Sequence, residues 1–504
     1  MQTSPYDIVV IGGGINGAGI AADAAGRGLR VLLAEAEDLG GATSSASSKL
    51  IHGGLRYLEQ FAFRLVREAL AEREVLLAKA PHIVWPLKFV LPQTPGMRPA
   101  PLLRAGLFLY DHLSTRRTLE GSRSLDLASD SAGKPLADGL KRGFSYWDCW
   151  VDDARLVVLN ALSARENGAE VLTRTPVSAI SVAEGLWQVT LGSGSAARTI
   201  GARTIVNAAG PWVGPVARMT LGGRNTPPPS IRLVKGSHIV VPRIPGAECA
   251  YIFQNSDGRV VFALPFEAAF TLIGTTDTPY TGDPRGVTVT AEDVTYLLAV
   301  ANRYLRQSLS AADIVWQFAG VRPLDDDGSD NPSAVSRDYR LQLDTGAQPP
   351  VLHVIGGKIT TYRKLAEAAL DLLQPHLAQG AVIGPAWTAS APLPGGDVGA
   401  NGYASWFDDL AARHRGFNRN DLTRLARRYG TRLDTLLGDA ASASDLGVDL
   451  GGGLTQREVR YLKSQEWAVR ADDVVWRRTK TALHVRAGAR TELLARVQAE
   501  IDAA

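Results

Sequence analysis

The chain has 504 residues, and at about 150 residues per domain this length predicts roughly three domains. Hydrophobic residues make up 45% and charged residues 21%, which is a globular composition and excludes a wholly disordered chain. The formal net charge of +3 gives no argument for nucleic-acid binding. With only two cysteines, Cys149 and Cys249, the chain cannot build a disulfide framework or a four-ligand zinc site.

The sequence shows no membrane-spanning segment. Residues 1–5 lack the charged region and apolar stretch of a secretory signal, so we expect none. No apolar run approaches the ~18 residues of a spanning helix. We therefore expect any contact with a membrane to be made at its surface.

The N-terminal elements follow a strand, turn, helix, strand order. Residues 8–11 form a short β-rich run, and residues 15–28 form an alanine-rich helical stretch. Residues 31–34 are continuously apolar, which is typical of a strand buried in a parallel sheet. A second helix is predicted over residues 63–80, ending before Pro81.

The rest of the chain divides by composition. Residues 83–150 are rich in proline and aromatic residues and are predicted to be irregular, whereas residues 170–207 and 231–276 contain several strand patterns. A capping box at residues 290–293 predicts a helix start. Residues 392–396 indicate a linker, beyond which the chain is predicted to be mostly helical.

A glycine-rich turn directly follows the first strand. Gly12, Gly14 and Gly17 fit the pattern G-x-G-x-x-G, and Glu35 ends the second strand. Such glycines permit a tight turn and close approach to a pyrophosphate at the helix N-terminus, and the acidic residue accepts hydrogen bonds from a ribose. The motif favours NAD or FAD over NADP and does not separate those two; a tight turn without a ligand is the alternative.

A hydroxyl-rich loop follows the second strand. Residues 40–49 contain one threonine and four serines and run directly into residues 50–57. These hydroxyls are suited to donate hydrogen bonds to a pyrophosphate or a ribityl chain. The alternative is a flexible serine linker.

With these residues in place, the sequence resembles the FAD-dependent glycerol-3-phosphate dehydrogenase family. The segments SSKLIHGGLRYLE and GGKITTYR are the most specific, while the glycine fingerprint is not specific. The resembling blocks follow the family's order along nearly the whole chain: residues 12–19, 43–59, 319–324, 337–339, 356–363 and 473–479.

The resemblance implies an α/β fold. Its parts are a Rossmann-type, glutathione-reductase-like FAD domain, an inserted substrate domain with an antiparallel sheet, and a helical C-terminal domain. The expected boundaries are 1–82, 151–230 and 319–390 for the three parts of the FAD domain, 83–150 for a substrate or cap segment, 231–318 for the substrate domain and 391–504 for the helical domain.

The resemblance also implies the chemistry: oxidation of sn-glycerol 3-phosphate to dihydroxyacetone phosphate, with hydride passing from C2 to FAD N5. A dianionic phosphate calls for cationic donors. The implied substrate-binding residues are Arg56, Tyr57, Arg322, Arg337 and Lys358.

The residues implied for catalysis are Arg322, Lys358, His238 and Tyr57. The general base is left open between His238, whose ordinary pKa of about 6.5 suits the task, and a Lys358 with a lowered pKa. The alternatives are a structural role for His238 and stabilisation of reduced flavin by a Lys358 cation.

The residues implied for cofactor binding come from the turn, the hydroxyl loop and the segments that return to the FAD domain. They are Gly12, Gly14, Ile15, Asn16, Gly17, Glu35, Thr43, Ser44, Ser48, Lys49, Leu50, Ile51, Val177, Ala209, Gly210, Gly357, Lys358, Ile359 and Thr360. No metal site is expected.

The resemblance implies a membrane quinone as electron acceptor and peripheral attachment to the cytoplasmic side of the cell membrane. Residues 97–113, apolar with interspersed arginines, are the predicted surface anchor, with packing against the protein as the alternative. A homodimer is left open. The competing functions are a glycerol-3-phosphate oxidase, which uses oxygen and releases hydrogen peroxide, and a catalytically silent flavoprotein that serves as a binding module.

Overall fold

The computed structural model describes residues 4–94, 97–220, 227–255, 257–326, 338–346, 349–377 and 383–504. The strands are β1 (Tyr6–Ile11), β2 (Val31–Ala34), β3 (Leu50–Ile51), β4 (Val84–Pro92), β5 (Arg123–Asp126), β6 (Arg142–Val151), β7 (Glu170–Leu172), β8 (Val177–Ala183), β9 (Leu186–Leu191), β10 (Arg198–Asn207), β11 (Ile231–Pro242), β12 (Ala250–Gln254), β13 (Val260–Phe266), β14 (Phe270–Gly274), β15 (Thr278–Pro279), β16 (Trp316–Asp325), β17 (Tyr339–Asp344), β18 (Val351–Gly356), β19 (Asp449–Gly451) and β20 (Leu454–Thr455). The helices are α1 (Ile15–Gly26), α2 (Phe63–Lys79), α3 (Ala100–His112), α4 (Asp153–Glu166), α5 (Val213–Met219), α6 (Ala291–Tyr304), α7 (Tyr362–Leu373), α8 (Gly402–Arg413), α9 (Arg419–Tyr429), α10 (Leu433–Leu437), α11 (Gln456–Glu466) and α12 (Arg490–Ala503).

The first sheet carries the N-terminal turn. Strands β18, β10, β1, β2 and β7 lie side by side and pair in parallel, and β17 adds an antiparallel edge. Helix α1 packs against α4 and α7 over a core that the apolar residues of β1 and β2 complete. This arrangement is the predicted Rossmann-type α/β architecture, and the expectation for the fold class is confirmed.

The second sheet is larger and mixed. Its order is β15-β11-β14-β13-β12-β4-β6-β3, with β16 paired to β11 and β5 paired to β6. Helix α6 begins at the predicted capping box, where Thr290 and Asp293 bond each other's backbone N–H groups, and it packs against β11 and β13. The site described below lies where β16 of this sheet meets the first sheet.

The prediction that residues 83–150 are irregular is wrong, because this segment contributes β4 and β6, two long paired strands. Prolines and aromatic residues obscured the pattern. Pro86 has a sheet neighbour on one side only, Cys149 of β6, because β12 joins β4 further along, at Phe89. A proline without an N–H group is tolerated at such a position.

The predicted linker at residues 392–396 is tightly packed. Leu393 is buried and its N–H donates to the carbonyl of Lys79. A Cβ added to Gly395 would lie 2.3 Å from the Tyr429 carbonyl oxygen, and one added to Gly396 would lie 2.1 Å from that of Lys79. Close backbone approach therefore explains these glycines.

The C-terminal region has an apolar core of its own, formed mainly by helices α9, α10, α11 and α12. Within the described ranges, no helix is both long enough and apolar enough to cross a bilayer.

Candidate active site

The turn between β1 and α1 is built by close backbone approach. Gly12 has φ +108°, and a Cβ there would lie 2.6 Å from the Ala208 carbonyl oxygen. A Cβ at Gly17 would lie 1.9 Å from the carbonyl oxygen of Gly12. Glycine is therefore required at both positions, and the turn leaves the N-terminus of α1 facing the edge of the sheet, where phosphates bind in such folds.

Glu35 follows β2 and lies beside this turn. Its carboxylate accepts the N–H of Gly13 at 2.6 Å and that of Glu37 at 2.8 Å. Burial raises the pKa of Glu35, and these two N–H donors oppose that rise. The side chain is thus fixed at the place where the motif predicts a ribose partner.

The hydroxyl loop closes over the N-terminus of α1. Ser44 Oγ accepts the N–H of Ile15 at 3.0 Å, and Thr43 Oγ1 donates to the carbonyl of Val321 at 2.5 Å. Asn16 donates to the carbonyl of Gly356, while its buried Oδ1 has no hydrogen-bond partner in the described part of the chain. A buried acceptor without a partner at this position fits a bound ligand.

These elements enclose a cavity of about 870 Å³, within the size range of cofactor sites. Twelve of the residues predicted to bind the cofactor line it: Gly12, Gly14, Ile15, Asn16, Glu35, Thr43, Ser44, Lys49, Val177, Ala209, Gly210 and Gly357. The structure therefore brings together segments that lie more than 300 residues apart, as the 340-residue separation of Asn16 and Gly356 shows.

The other residues predicted to bind the cofactor do not line the cavity: Gly17, Ser48, Leu50, Ile51, Lys358, Ile359 and Thr360. Leu50 and Ile51 pack into two apolar cores, and Thr360 Oγ1 accepts the N–H of His52 at 3.2 Å. At the wall itself, the Lys49 ammonium forms a buried ion pair with Asp153 at 2.8 Å, so that charge is already balanced within the protein.

Sequence reasoning missed one wall of the cavity, which the C-terminal region supplies. The residues from this region that line it are Arg470, Asp472, Asp473, Trp476, Arg477 and Lys480. Trp476 stacks on Trp316 at a ring-centroid distance of 4.8 Å. Residues 473–479 carried part of the family resemblance, and a tryptophan among charged residues in a polar helical tail is the signal that could have marked them.

A buried charge cluster fixes this tail to the first sheet. Asp38 accepts hydrogen bonds from Arg477 Nε at 2.5 Å and from both terminal nitrogens of Arg478, at 2.5 and 2.7 Å. Burial alone would raise the pKa of Asp38, but the two guanidinium charges outweigh it and hold that pKa below its ordinary value. Arg174 makes a parallel link to Asp473 at 2.7 Å.

Lys358 and Tyr57 meet beside the cavity. The Lys358 ammonium lies 5.2 Å from the centre of the Tyr57 ring and donates to the carbonyl of His52 at 2.5 Å. It directly follows Gly357, which lines the cavity with φ +102°. Burial lowers the pKa of Lys358 to about 7, and the charge of Asp148 opposes that decrease.

The predicted arginines have different surroundings. Arg322 lies on β16 between two cavity-lining residues, and its guanidinium bonds Asp277 at 2.7 Å and the carbonyl of Thr276 at 2.8 Å. Arg56 precedes Tyr57 in a short 3₁₀ helix and is half-buried. Arg337 lies outside the described residues.

His238 is buried on β11. Its Nε2 lies 3.0 Å from Ser48 Oγ, its Nδ1 has no partner in the described ranges, and its ring stacks on cavity-lining Phe318 at 4.8 Å. Burial, followed by the charges of Lys49 and Arg322, lowers the pKa of His238 to about 3. The imidazole is therefore neutral at physiological pH.

Two family models match this chain, one over its larger N-terminal part and one over its C-terminal region. Residues 7–363 match the family model described as FAD dependent oxidoreductase, and residues 386–501 match the C-terminal domain of alpha-glycerophosphate oxidase.

Two relatives and one solved structure are similar to this chain over nearly its whole length. A glycerol-3-phosphate dehydrogenase of Pseudomonas aeruginosa is 55% identical over 98% of this chain and 95% of the relative. A D-erythritol 1-phosphate dehydrogenase of Brucella abortus is 50% identical over 95% of each chain. The structure of the Bacillus halodurans glycerol-3-phosphate dehydrogenase complexed with FAD is 28% identical, with a TM-score of 0.75 over 100% of this chain and 96% of that one.

Proposed function

The chain belongs to the FAD-dependent glycerol-3-phosphate dehydrogenases, and from that membership we propose that it oxidises sn-glycerol 3-phosphate to dihydroxyacetone phosphate and passes the electrons to a membrane quinone. The observation that carries the proposal is the position of Lys358. Lys358 directly follows Gly357, which lines a dinucleotide-sized cavity, and its partly buried ammonium lies beside the Tyr57 ring. A cation placed there is suited to a small phosphorylated substrate next to a bound cofactor.

The residues of the cavity fit FAD. The glycine turn leaves room for a pyrophosphate, Glu35 is fixed at the ribose position, and the buried Oδ1 of Asn16 lacks a partner. FAD supplies the group that accepts hydride from C2 of the substrate. The protein supplies the walls, the fixed hydrogen-bonding groups and the charges around that group.

We assign the substrate phosphate to Lys358 and Arg322, whose segments both border the cavity. Charge-assisted hydrogen bonds contribute roughly 1.5–3 kcal/mol each. Because Asp277 already pairs with Arg322, that guanidinium is held in a fixed orientation before the substrate arrives. The remaining cations implied by the resemblance, Arg56 and Arg337, stay predictions.

We assign proton removal from the substrate hydroxyl to His238. In the tautomer whose Nε2–H donates to Ser48 Oγ, Nδ1 carries the free lone pair, and Nδ1 has no hydrogen-bond partner in the described residues. The ring is neutral at physiological pH, so its lone pair is free to accept the hydroxyl proton, although the lowered pKa makes it a weaker base than an ordinary histidine.

A surface suited to a membrane lies on α3. Leu102 and Phe108 are more than half exposed, and Phe61, at 79% exposure, lies in the turn before α2. Leu107, predicted as part of the anchor, is buried instead. It shares the core-facing side of α3 with Tyr110. We propose that the exposed residues enter the lipid interface while nearby arginines meet anionic headgroups, which brings the flavin domain to its quinone.

The decisive experiment is anaerobic addition of glycerol 3-phosphate to the purified holoprotein, followed by the visible absorbance of its flavin. We expect bleaching, then recovery of the absorbance when a quinone analogue is added. Stoichiometric peroxide in air with no transfer to the quinone analogue would indicate the oxidase, and absence of bleaching would refute the dehydrogenase function. Because one relative is named for D-erythritol 1-phosphate, that compound is the matched competing substrate.

A further inference from the structure

The peptide group between His52 and Gly53 connects the Lys358 ammonium to the buried carboxylate of Asp148. The carbonyl of His52 accepts the Lys358 ammonium at 2.5 Å, and the N–H of Gly53, the other end of the same peptide, donates to Asp148 Oδ1 at 3.4 Å. One peptide group therefore connects the positive charge to the negative charge through two hydrogen bonds, of which the one to Asp148 is long. Hydrogen bonds that share a peptide group polarise one another.

Asp148 is held in place from two helices. Arg73 on α2 donates to Asp148 Oδ1 at 2.6 Å, and the Tyr110 hydroxyl on α3 contacts both carboxylate oxygens, at 2.7 and 2.9 Å. All three side chains are almost completely buried. These contacts fix the orientation of the carboxylate, and the Gly53 N–H reaches the same Oδ1 that Arg73 contacts.

The glycine pair that follows His52 makes this close arrangement possible. A Cβ at Gly53 would lie 2.5 Å from the Tyr110 hydroxyl oxygen. A Cβ at Gly54, which has φ +84°, would lie 3.3 Å from the Lys358 nitrogen and 2.3 Å from the Tyr57 ring. The two glycines thus let Tyr110 and Lys358 approach the same short stretch of backbone from two sides.

We propose that Asp148 is a positioning residue, whose carboxylate acts through the intervening peptide on Lys358 and keeps that side chain charged and oriented for the substrate phosphate. The inference rests on the proposed function in giving Lys358 its role, and it adds a residue outside the site that the family resemblance described.

The sign of the effect follows from the surrounding charges. Five other titratable or charged groups surround Lys358 and Asp148. They are His52 and Tyr57 from the segment after β3, Arg73 from α2, Tyr110 from α3 and Tyr146 from β6. Among the interactions that shift the pKa of Lys358, burial lowers it and Asp148 raises it. Removal of the Asp148 charge leaves burial unopposed, so Lys358 loses its proton at a lower pH.

The test is Asp148→Asn in the FAD-loaded full chain. Asparagine keeps an acceptor for the Gly53 N–H and removes the charge. We expect the pH at which glycerol 3-phosphate binding falls to half to shift by about one unit toward acid. A variant that retains FAD and melts as a folded protein, yet has a wild-type pH profile, would overturn the proposal.

A second variant keeps the test decisive if Asp148→Asn leaves Arg73 unpaired and does not fold. Tyr110→Phe removes only the hydroxyl that stabilises the carboxylate, so we expect a smaller acid shift in the same profile. The matched control is Tyr251→Phe, which removes a buried hydroxyl that donates to the Ala132 carbonyl at 2.9 Å. Equal profiles for these two tyrosine variants would refute the proposal.

A readout without turnover separates this inference from the proposed function. Competitive acetylation of the Lys358 amine across pH, measured by mass spectrometry on the holoprotein, reports its protonation directly. An acid shift of that labelling curve in Asp148→Asn supports the inference even if glycerol 3-phosphate never bleaches the flavin, in which case only the proposed function fails. Unchanged labelling rejects the inference whatever the substrate does.

Discussion

The contact between Asp38 and the C-terminal tail predicts that FAD retention depends on residues far from the cofactor motif. In Asp38→Asn the carboxylate that receives Arg477 and Arg478 loses its charge, while the guanidinium of Arg478 stays completely buried. We expect the segment around Trp476 to leave the cavity wall and FAD to dissociate more readily.

The magnitude follows from burial. Removing one partner of a buried ion pair costs about 3–5 kcal/mol; here the buried Arg478 charge loses the Asp38 carboxylate and keeps the Glu466 carbonyl as an acceptor. At 1.4 kcal/mol per factor of ten, this weakens docking of the tail by roughly a hundred- to a few-thousand-fold. Since the guanidinium charges hold the pKa of Asp38 below its ordinary value, the wild-type contact is present at neutral pH and is lost as pH falls through that lowered pKa.

The assay is release of FAD, followed by its fluorescence during dilution and during thermal unfolding. The matched control is Asp439→Asn, which removes a carboxylate that is 94% exposed and paired with Arg457 at 3.2 Å in the same C-terminal region. Surface pairs contribute about 0–1 kcal/mol, so we expect the control to retain FAD. The reasoning is refuted if Asp38→Asn releases FAD at the same rate and temperature as the control.

Four further outcomes are expected. Lys358→Met retains FAD but binds glycerol 3-phosphate roughly ten- to a hundred-fold more weakly, whereas Lys364→Met, an exposed neighbour, binds normally; equal affinities would contradict the assignment. His238→Asn binds substrate normally and slows flavin reduction roughly 10²–10⁴-fold in stopped-flow measurements, and an unchanged rate removes it as the base. In the wild type, affinity falls as pH rises above about 7, because Lys358 then loses its proton; a constant affinity across that range argues against its cationic role. Phe108→Glu abolishes sedimentation with anionic vesicles while Val448→Glu, an equally exposed apolar position in the C-terminal region, does not; sedimentation of both variants would place the membrane surface elsewhere.

The parts of the site that the sequence could predict are those determined by neighbours along the chain. The turn at Gly12 and the carboxylate of Glu35 depend on one strand-turn-helix unit, and the start of α6 depends on four residues from Thr290. Each is a local arrangement in which a missing Cβ, a cap or an acidic side chain has one physical purpose. Such signals do not depend on contacts with distant segments of the chain.

The parts that could not be predicted depend on contacts between distant segments. Arg477 lies 439 residues from Asp38, and no local sequence pattern predicts the hydrogen bond between them. The same limit applies on α3, where composition marks an apolar surface segment, but only packing decides that Leu107 faces the core and Phe108 faces outward. Composition predicts that a segment is apolar, and tertiary contacts decide which of its faces is covered.

Asp148 shows that the sequence can indicate the existence of a distant charged partner. It is the only charged residue in the aromatic run from Tyr146 to Trp150, on a strand that is mostly buried. Because an isolated carboxylate is costly in an apolar environment, such a residue requires a cation brought by the fold. That cation is Arg73, with Lys358 one peptide away. A lone acid in a buried strand therefore predicts that a charged partner exists, and only the structure identifies it.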